Sequence, residues 1–311
     1  MPGRRNASFH DGDRSEYLAT FVLSSIAAAT PIPRQEDYGL DLICSLTRRG
    51  DDGALYVEDG FGVQVKSASE KKVTYGGMTR KTKTRPSEWK EWEPKWLFHQ
   101  DNPFFLAFVS KEQWRVKLYS ATRMWGVQWS SGGPYRISLV PDRQHFDGDP
   151  PNHRYRQKPG PSDGVDGKGI WEVALGNPIL DLTPQEIEDP EFRHRAYVCL
   201  KHWVEIDRRN LVHHQLGIPF TIEPEHWETN KAPSDSLVIY IYFNPTPDMN
   251  IGRILSSIAP AIVSLVFNFH AQGQTKKLQS VKPMLRLLAE YHEQLDGVGK
   301  QISTLPSDDE A

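Results

Sequence analysis

With 311 residues the chain exceeds an ordinary single domain, which leaves one heavily decorated domain or two. Its 37 Lys and Arg against 40 Asp and Glu leave a formal net charge of −3, which excludes a uniformly positive surface and leaves local basic patches to meet any acidic partner. Two cysteines, Cys44 and Cys199, without Cys-x-x-Cys or a compact Cys/His cluster, indicate neither a disulfide framework nor a zinc site and suit a reducing cytosol.

In chain order, residues 14–28 place Leu18, Phe21, Val22, Ser25 and Ile26 at helical spacing, with Ser15 as a cap and Glu16 in the first turn, where an acid suits the helix dipole. The same stretch follows Arg4-Arg5, but Asp11, Asp13 and Glu16 stand where a signal peptide is free of acids, so a cytoplasmic protein is expected. Residues 38–47 read as a mostly apolar strand. Arg49-Gly50-Asp51-Asp52-Gly53 breaks it, residues 54–57 resume, Glu58-Asp59-Gly60 turns, and residues 61–67 return, an antiparallel meander of three strands. Alternate side chains of a strand share a face, so Gln64 and Lys66 project together, opposite Val63 and Val65. Asp41 is in phase with Ile43 and joins them if the register allows. A carboxylate, an amide carbonyl and an ammonium aimed at one point can serve a cation and a phosphate; the plain alternative is an Asp41–Lys66 ion pair at a sheet edge.

Lys66, Lys71, Lys72, Arg80, Lys81, Lys83 and Arg85 stand against Glu70 alone within residues 66–85, 7 − 1 = +6, with Gly76-Gly77 near the middle. Such a run grips a phosphate backbone or is simply a solvated basic loop; its position beside Lys66 favours nucleic acid. Residues 86–98 read as a Trp-studded helix opened by Pro86, and residues 104–109 and 114–120 as two further strands.

The order helix, three strands, helix, two strands resembles the PD-(D/E)XK nuclease superfamily, and within it the bacterial domain-of-unknown-function 4365 family. The resemblance runs over roughly residues 10–125 and is carried by the Glu16 helix, Gly39-Leu40-Asp41, Phe61-Gly62-Val63-Gln64-Val65-Lys66-Ser67, and Asn102-Pro103-Phe104-Phe105-Leu106-Ala107-Phe108-Val109. It implies an α/β (α+β) core, a mixed sheet flanked by helices. It also implies a Mg²⁺- or Mn²⁺-dependent nuclease, acting on DNA and used in bacterial defence, with Asp41, Gln64 and Glu16 as metal ligands and Lys66 assisting the attacking water. Gln64 stands where many relatives carry a carboxylate, which removes one negative charge from a cation site, and Leu40 replaces the proline of the superfamily's name. Glu36 and Asp37 compete with Glu16. A nuclease fold that binds nucleic acid or a partner protein without cutting is the alternative.

Residues 141–169 are rich in Pro, Gly, Asp and His and read as a linker or exposed insertion between a domain at 10–140 and a mixed α/β region at 170–300. In that region Thr183-Pro184-Gln185-Glu186 resembles a capped helix start, and residues 191–216 a helix ending at Gly217. Residues 236–243 read as a strand, and residues 251–269 and 281–295 as helices. The run 251–269 is broken by Arg253, Ser256, Ser257, Pro260 and Asn268 and reads as buried rather than membrane-spanning. Substrate selection, a partner protein or homo-oligomer formation are the roles open to this region, and residues 301–311 read as an acidic disordered tail.

Overall fold

The structure, a computed structural model, describes residues 7–33, 39–50, 52–80, 89–92, 95–131, 136–146, 154–158, 169–218, 220–241 and 251–291. The first helix, α1, spans Ala7–Leu23. It stops before its expected end because Ser24 and Ser25 turn their hydroxyls back onto the carbonyls of Thr20 and Val22, at 2.6 and 2.7 Å, which competes with continuing the helix. The apolar alanines that follow then enter a sheet as β1, Ala27–Pro31, antiparallel to β2, Leu42–Arg49.

The strand β3 runs unbroken over Leu55–Ser67, through the turn expected at Glu58-Asp59-Gly60. Tertiary partners override the local turn chemistry. Glu58 accepts hydrogen bonds from Tyr197 at 2.6 Å, Lys201 at 2.9 Å and Arg48 at 3.0 Å, which hold its carboxyl down to about 2, and Asp59 pairs with Arg208. Tyr197, Lys201 and Arg208 belong to α3, Pro190–Gln215, which ends near Gly217 at φ +75°, the left-handed position that suits glycine.

Beyond β3 the chain leaves the sheet as β4, Val73–Arg80, and β5, Trp89–Trp92, makes a 3-10 turn over Lys95–Phe98, and returns as β6, Phe104–Ser110, parallel to β3. Where a helix is expected over residues 86–98, the described residues are instead the strand Trp89–Trp92 paired to β4 and the short turn Lys95–Phe98, which delivers Leu97 and Phe98 to the core. β7, Arg115–Ser120, pairs antiparallel with β6 and with β11, Leu180–Leu182. The first sheet is thus mixed, in the order β1-β2-β3-β6-β7-β11.

A second sheet has the order β5-β4-β8-β10-β9, with β8 at Arg136–Val140, β9 at Tyr155–Lys158 and β10 at Ile170–Ala174. One face of the first sheet, carrying Phe61, Val63 and Val65, packs on α1 and α3 through Leu18, Val22, Leu200 and Trp203. The other face, carrying Leu106, Phe108 and Tyr119, packs on the second sheet through Val73, Ile137 and Val173, and on α2, Met124–Ser131. β6 is buried on both faces from Phe104 to Val109, as that apolar run requires.

β9 lies in the second sheet, and β10, β11 and α3 complete the layers around the N-terminal strands, so residues 1–214 and 219–244 form one compact unit. The division read from Pro/Gly punctuation at 141–169 is not where contacts divide the chain, because Glu172 of β10 ties β9 to β4 by accepting from Lys72, Arg156 and Lys158. The Thr183 capping box forms, with Thr183 Oγ1 on Glu186 at 2.8 Å, but caps a single 3-10 turn, Glu186–Glu188. The strands β12, Phe220–Pro224, and β13, Leu237–Ile241, pair antiparallel. The second unit holds α4, Ile251–Ala271, and α5, Thr275–Glu290, joined through Gly273 and packed on each other by Leu255, Val263, Val266, Leu278 and Leu288. Among the described residues no helix is long and apolar enough to cross a membrane. The acidic tail lies outside the described residues.

On α3, Asp207 accepts from Ser120 at 2.7 Å, while its second oxygen is buried without a hydrogen-bond partner among the described residues. Burial raises this carboxyl to about 8, against an ordinary value of ~4. A raised acid contributes stability that is complete below ~4 and is lost as the pH climbs through about 8. Asp207→Asn keeps the acceptor for Ser120 and cannot ionise. Its melting temperature is therefore expected to match the parent's near pH 4 and to exceed it increasingly up to about pH 8, by several degrees at pH 9; parallel decline of both proteins would refute this.

Candidate functional site

Gly39 prepares the site. It has φ +91°, and a Cβ there would lie 2.4 Å from the ring of Trp96, so the backbone entering Leu40 and Asp41 can pass under that indole only as glycine. Trp96 in turn meets Tyr75 and Phe104 edge-on, with centroids 5.5 and 6.1 Å apart. Leu40 lies over Gly62 and fills the space that a side chain on β3 would need. Gly39→Ala is expected to destabilise the fold by about 2–4 kcal/mol, from a left-handed residue plus overpacking, read by urea denaturation.

Asp41 stands one residue before the pairing Leu42↔Val63, where β2 begins and past which β3 runs on. Its N–H donates to the Val63 carbonyl at 3.0 Å, and its Oδ2 accepts from the Val65 N–H at 2.6 Å. The carboxylate thus takes the place of the missing β2 backbone and is fixed by a charge-assisted hydrogen bond.

Gln64 and Lys66 do share a face, opposite Val63 and Val65. Gln64 is 8% exposed and accepts the hydroxyl of Tyr75 on its Oε1. Burial raises the Tyr75 phenol, and the negative charges of Asp41 and then Glu70 raise it further; the antiparallel pairing Leu42↔Val63 sets Asp41 opposite Gln64. Lys66 is half-buried two positions along. Its register partners set it in a row across four strands, Lys66–Phe108–Lys117–Asp181, all on one face.

Glu16 is not in this cluster. It is half-buried on α1, and α1 packs on the Val63 and Val65 face, so the sheet separates its helix from the side chains of Gln64 and Lys66. Glu36 and Asp37 lie outside the described residues.

The basic run is divided. Lys71 is exposed, whereas Lys72 is held at 2.9 Å by Glu172, so it is tied into the second sheet. Burial of Glu172 is outweighed by hydrogen bonds from Lys158, Lys72 and Arg156, which hold its carboxyl at about 2. Arg80 is at the end of β4, with a side chain outside the described ones, as are residues 81–88 with Lys81, Lys83 and Arg85. Much of what reads as a basic loop is the strand β4, which bends at Gly76 with φ +77°.

The sequence offered no sign of the cleft of about 730 Å³ that opens at the carboxyl ends of the parallel strands β3 and β6. Lys71, Lys111, Arg115 and Lys117 line it, together with Tyr119 and the acids Glu70, Glu112 and Asp142. Asp142 accepts from Tyr119 at 2.8 Å and Lys117 at 3.3 Å, and Arg115 bonds Asp181 at 3.3 Å. The only available signal was topological: crevices beyond the carboxyl ends of parallel strands are where open α/β sheets bind ligands.

Oxygen donors suitable for a hard cation are present in Asp41 and Gln64, whose Oε1 keeps a second lone pair beside Tyr75. Among the described residues no three His, Cys, Asp or Glu side chains are grouped to hold a metal. Two protein oxygens completed by water fit Mg²⁺, which is commonly held by one or two carboxylates and substrate phosphates. The thiols are not candidates, since burial raises both Cys44 and Cys199 to about 12. His213 and His214 end α3, and His214 stacks on Trp125 at 4.2 Å with its basicity lowered to about 4 by burial, which marks it as a packed side chain.

No family model, no curated protein and no solved structure matches the chain.

Proposed function

We propose that this protein is a metal-dependent nuclease of PD-(D/E)XK type that hydrolyses phosphodiester bonds in nucleic acid, DNA foremost, in the cytoplasm of a bacterium and in defence against foreign DNA. One observation carries the reading. Asp41, Gln64 and Tyr75 gather at the start of β2, Lys66 follows Gln64 on the same face of β3, and a cleft lined by lysines lies just beyond the end of β3.

Asp41 and Gln64 would hold a Mg²⁺ or Mn²⁺ ion. Bound there, such a cation supplies a Lewis acid and a water of lowered pKa. The chain's own residues do the remainder. The Val65 N–H orients the Asp41 carboxylate, the Tyr75 hydroxyl fixes the rotamer of Gln64, and the Lys66 ammonium stabilises negative charge developing on the phosphoryl oxygens. Lys71, Lys111 and Lys117 attract the phosphate backbone into the cleft.

A second reading, a non-cutting nucleic-acid or partner-binding protein, is favoured by the hydroxyl already on Gln64 and by a donor set with one carboxylate. Incubation with supercoiled plasmid, linear duplex and single strands, with Mg²⁺, Mn²⁺ or chelator, separates the two. Metal-dependent cutting lost in Asp41→Ala and Lys66→Ala supports the nuclease, and retarded mobility without cutting supports the binder. The helical hairpin exposes Leu265, Phe267, Met284 and Leu287, and is the part available for self-association or a partner protein.

A further inference from the structure

We infer that the groove between α1 and the β6–β7 turn is a stacking platform for unpaired nucleobases, so that the nucleic acid engaged is single-stranded or carries an unpaired end. This rests on the nucleic-acid reading above. Three large aromatic side chains are displayed to solvent in one place: Tyr17 at 70%, Phe21 at 55% and Trp114 at 58% exposure. They line, with Arg14, Leu18 and Lys111, a groove of about 260 Å³.

Their placement is built from two sides. Tyr17 and Phe21 are four residues apart on α1, hence neighbours on one helix face, above the buried Leu18. Trp114 closes the turn at 111–114 with φ +50°. A bulky side chain in the left-handed region is an outlier that local structure must over-determine, and here it leaves the indole outside the core. Burial would otherwise be worth about 1.5–3 kcal/mol for a side chain of this kind, so three such chains left open beside two cations need an occupant.

Charge and position identify it. Arg14 and Lys111 flank the aromatic faces, and Lys111 also lines the larger cleft beyond Lys66, so the two depressions share a wall. A strand whose phosphates lie in that cleft reaches the aromatic groove at Lys111. Aromatic faces beside a basic channel are how proteins hold single strands, because every unpaired base offers a π-face, whereas a duplex keeps its bases covered by their own neighbours. An apolar protein segment has no use for the two cations.

The test is fluorescence anisotropy in EDTA with a labelled oligothymidylate and a blunt duplex of equal length, so that cleavage plays no part. Trp114→Ala and the double variant Tyr17→Ala/Phe21→Ala are each expected to weaken single-strand binding about tenfold and leave duplex binding unchanged, while Trp114→Phe restores most of it. Unchanged melting temperatures confirm folding. Equal losses on both probes, or single-strand binding indifferent to Trp114, overturn the platform while the nuclease reading stands on its plasmid assay. Self-association in sedimentation velocity that Trp114→Ala abolishes overturns it too, because the groove would then be occupied by a second copy of the chain. Absence of any binding together with absence of cutting sinks the parent reading instead.

Discussion

Asp41→Asn is expected to reduce metal-dependent cleavage at least ~100-fold while leaving the fold intact, and the pair of properties is what makes it informative. Asp41 has a structural duty, accepting the Val65 N–H at 2.6 Å just before β2 begins. Alanine would leave that N–H unmet and cost about 1–3 kcal/mol, so a loss of activity in Asp41→Ala is open to two explanations. Asparagine retains an oxygen acceptor of the same reach and removes only the charge. If cleavage survives Asp41→Asn, the carboxylate is a strand-end cap and the assignment of Asp41 as the metal ligand falls. Lys66→Ala gives the complementary result: Lys66 is half-buried and lies on the same face as Gln64, so a comparable loss of rate with little change in urea midpoint is expected.

Glu223→Ala is expected to be the most destabilising single change, by about 3–5 kcal/mol in chemical denaturation. Glu223 and Arg123 are 3% and 4% exposed and meet at 2.6 Å, and Arg154 pairs with the second Glu223 oxygen. The Arg123 guanidinium also donates to the carbonyls of Ala174 and Gln144, at 2.9 and 3.0 Å, while Arg154 lies over the Tyr240 ring at 3.8 Å. This network fastens β12 and β13 to α2 and the second sheet. Removing the carboxylate strands two cations, one of them fully enclosed, whereas replacing Arg123 and Glu223 together by Met and Leu removes the desolvation penalty with the attraction. The double variant is accordingly expected to recover much of the loss; equal instability of single and double variants would show that the packing, not the charge, is at stake.

Much of the candidate site was legible before any coordinates because it depends on a period of two. Val63 and Val65 enter one core and Gln64 and Lys66 face the other way, as alternation along a strand demands. The α3 helix and its glycine terminus were equally plain, since both follow from local periodicity and a backbone conformation that glycine favours. The turn at Glu58-Asp59-Gly60 and the helix at residues 86–98 were misread for one reason. Both have the right local chemistry, and both are overruled by distant partners: Tyr197 and Lys201 on α3 for the acid, and the edge of β4 for the Trp-rich segment. Lys72 illustrates the same limit, for its carboxylate partner Glu172 lies 100 residues away along the chain.

The sequence by itself thus determined which side chains of each strand travel together and where α3 ends. Only the tertiary structure decided which faces meet, because that depends on register and on pairings far apart in the chain. It set Asp41 against β3 beyond its pairing with β2, placed α1 with Glu16 on the other layer, and opened the charged cleft and the aromatic groove between elements that share no local pattern. A face is a property of a strand's periodicity; a site is a property of several strands held in one register by the cores on either side.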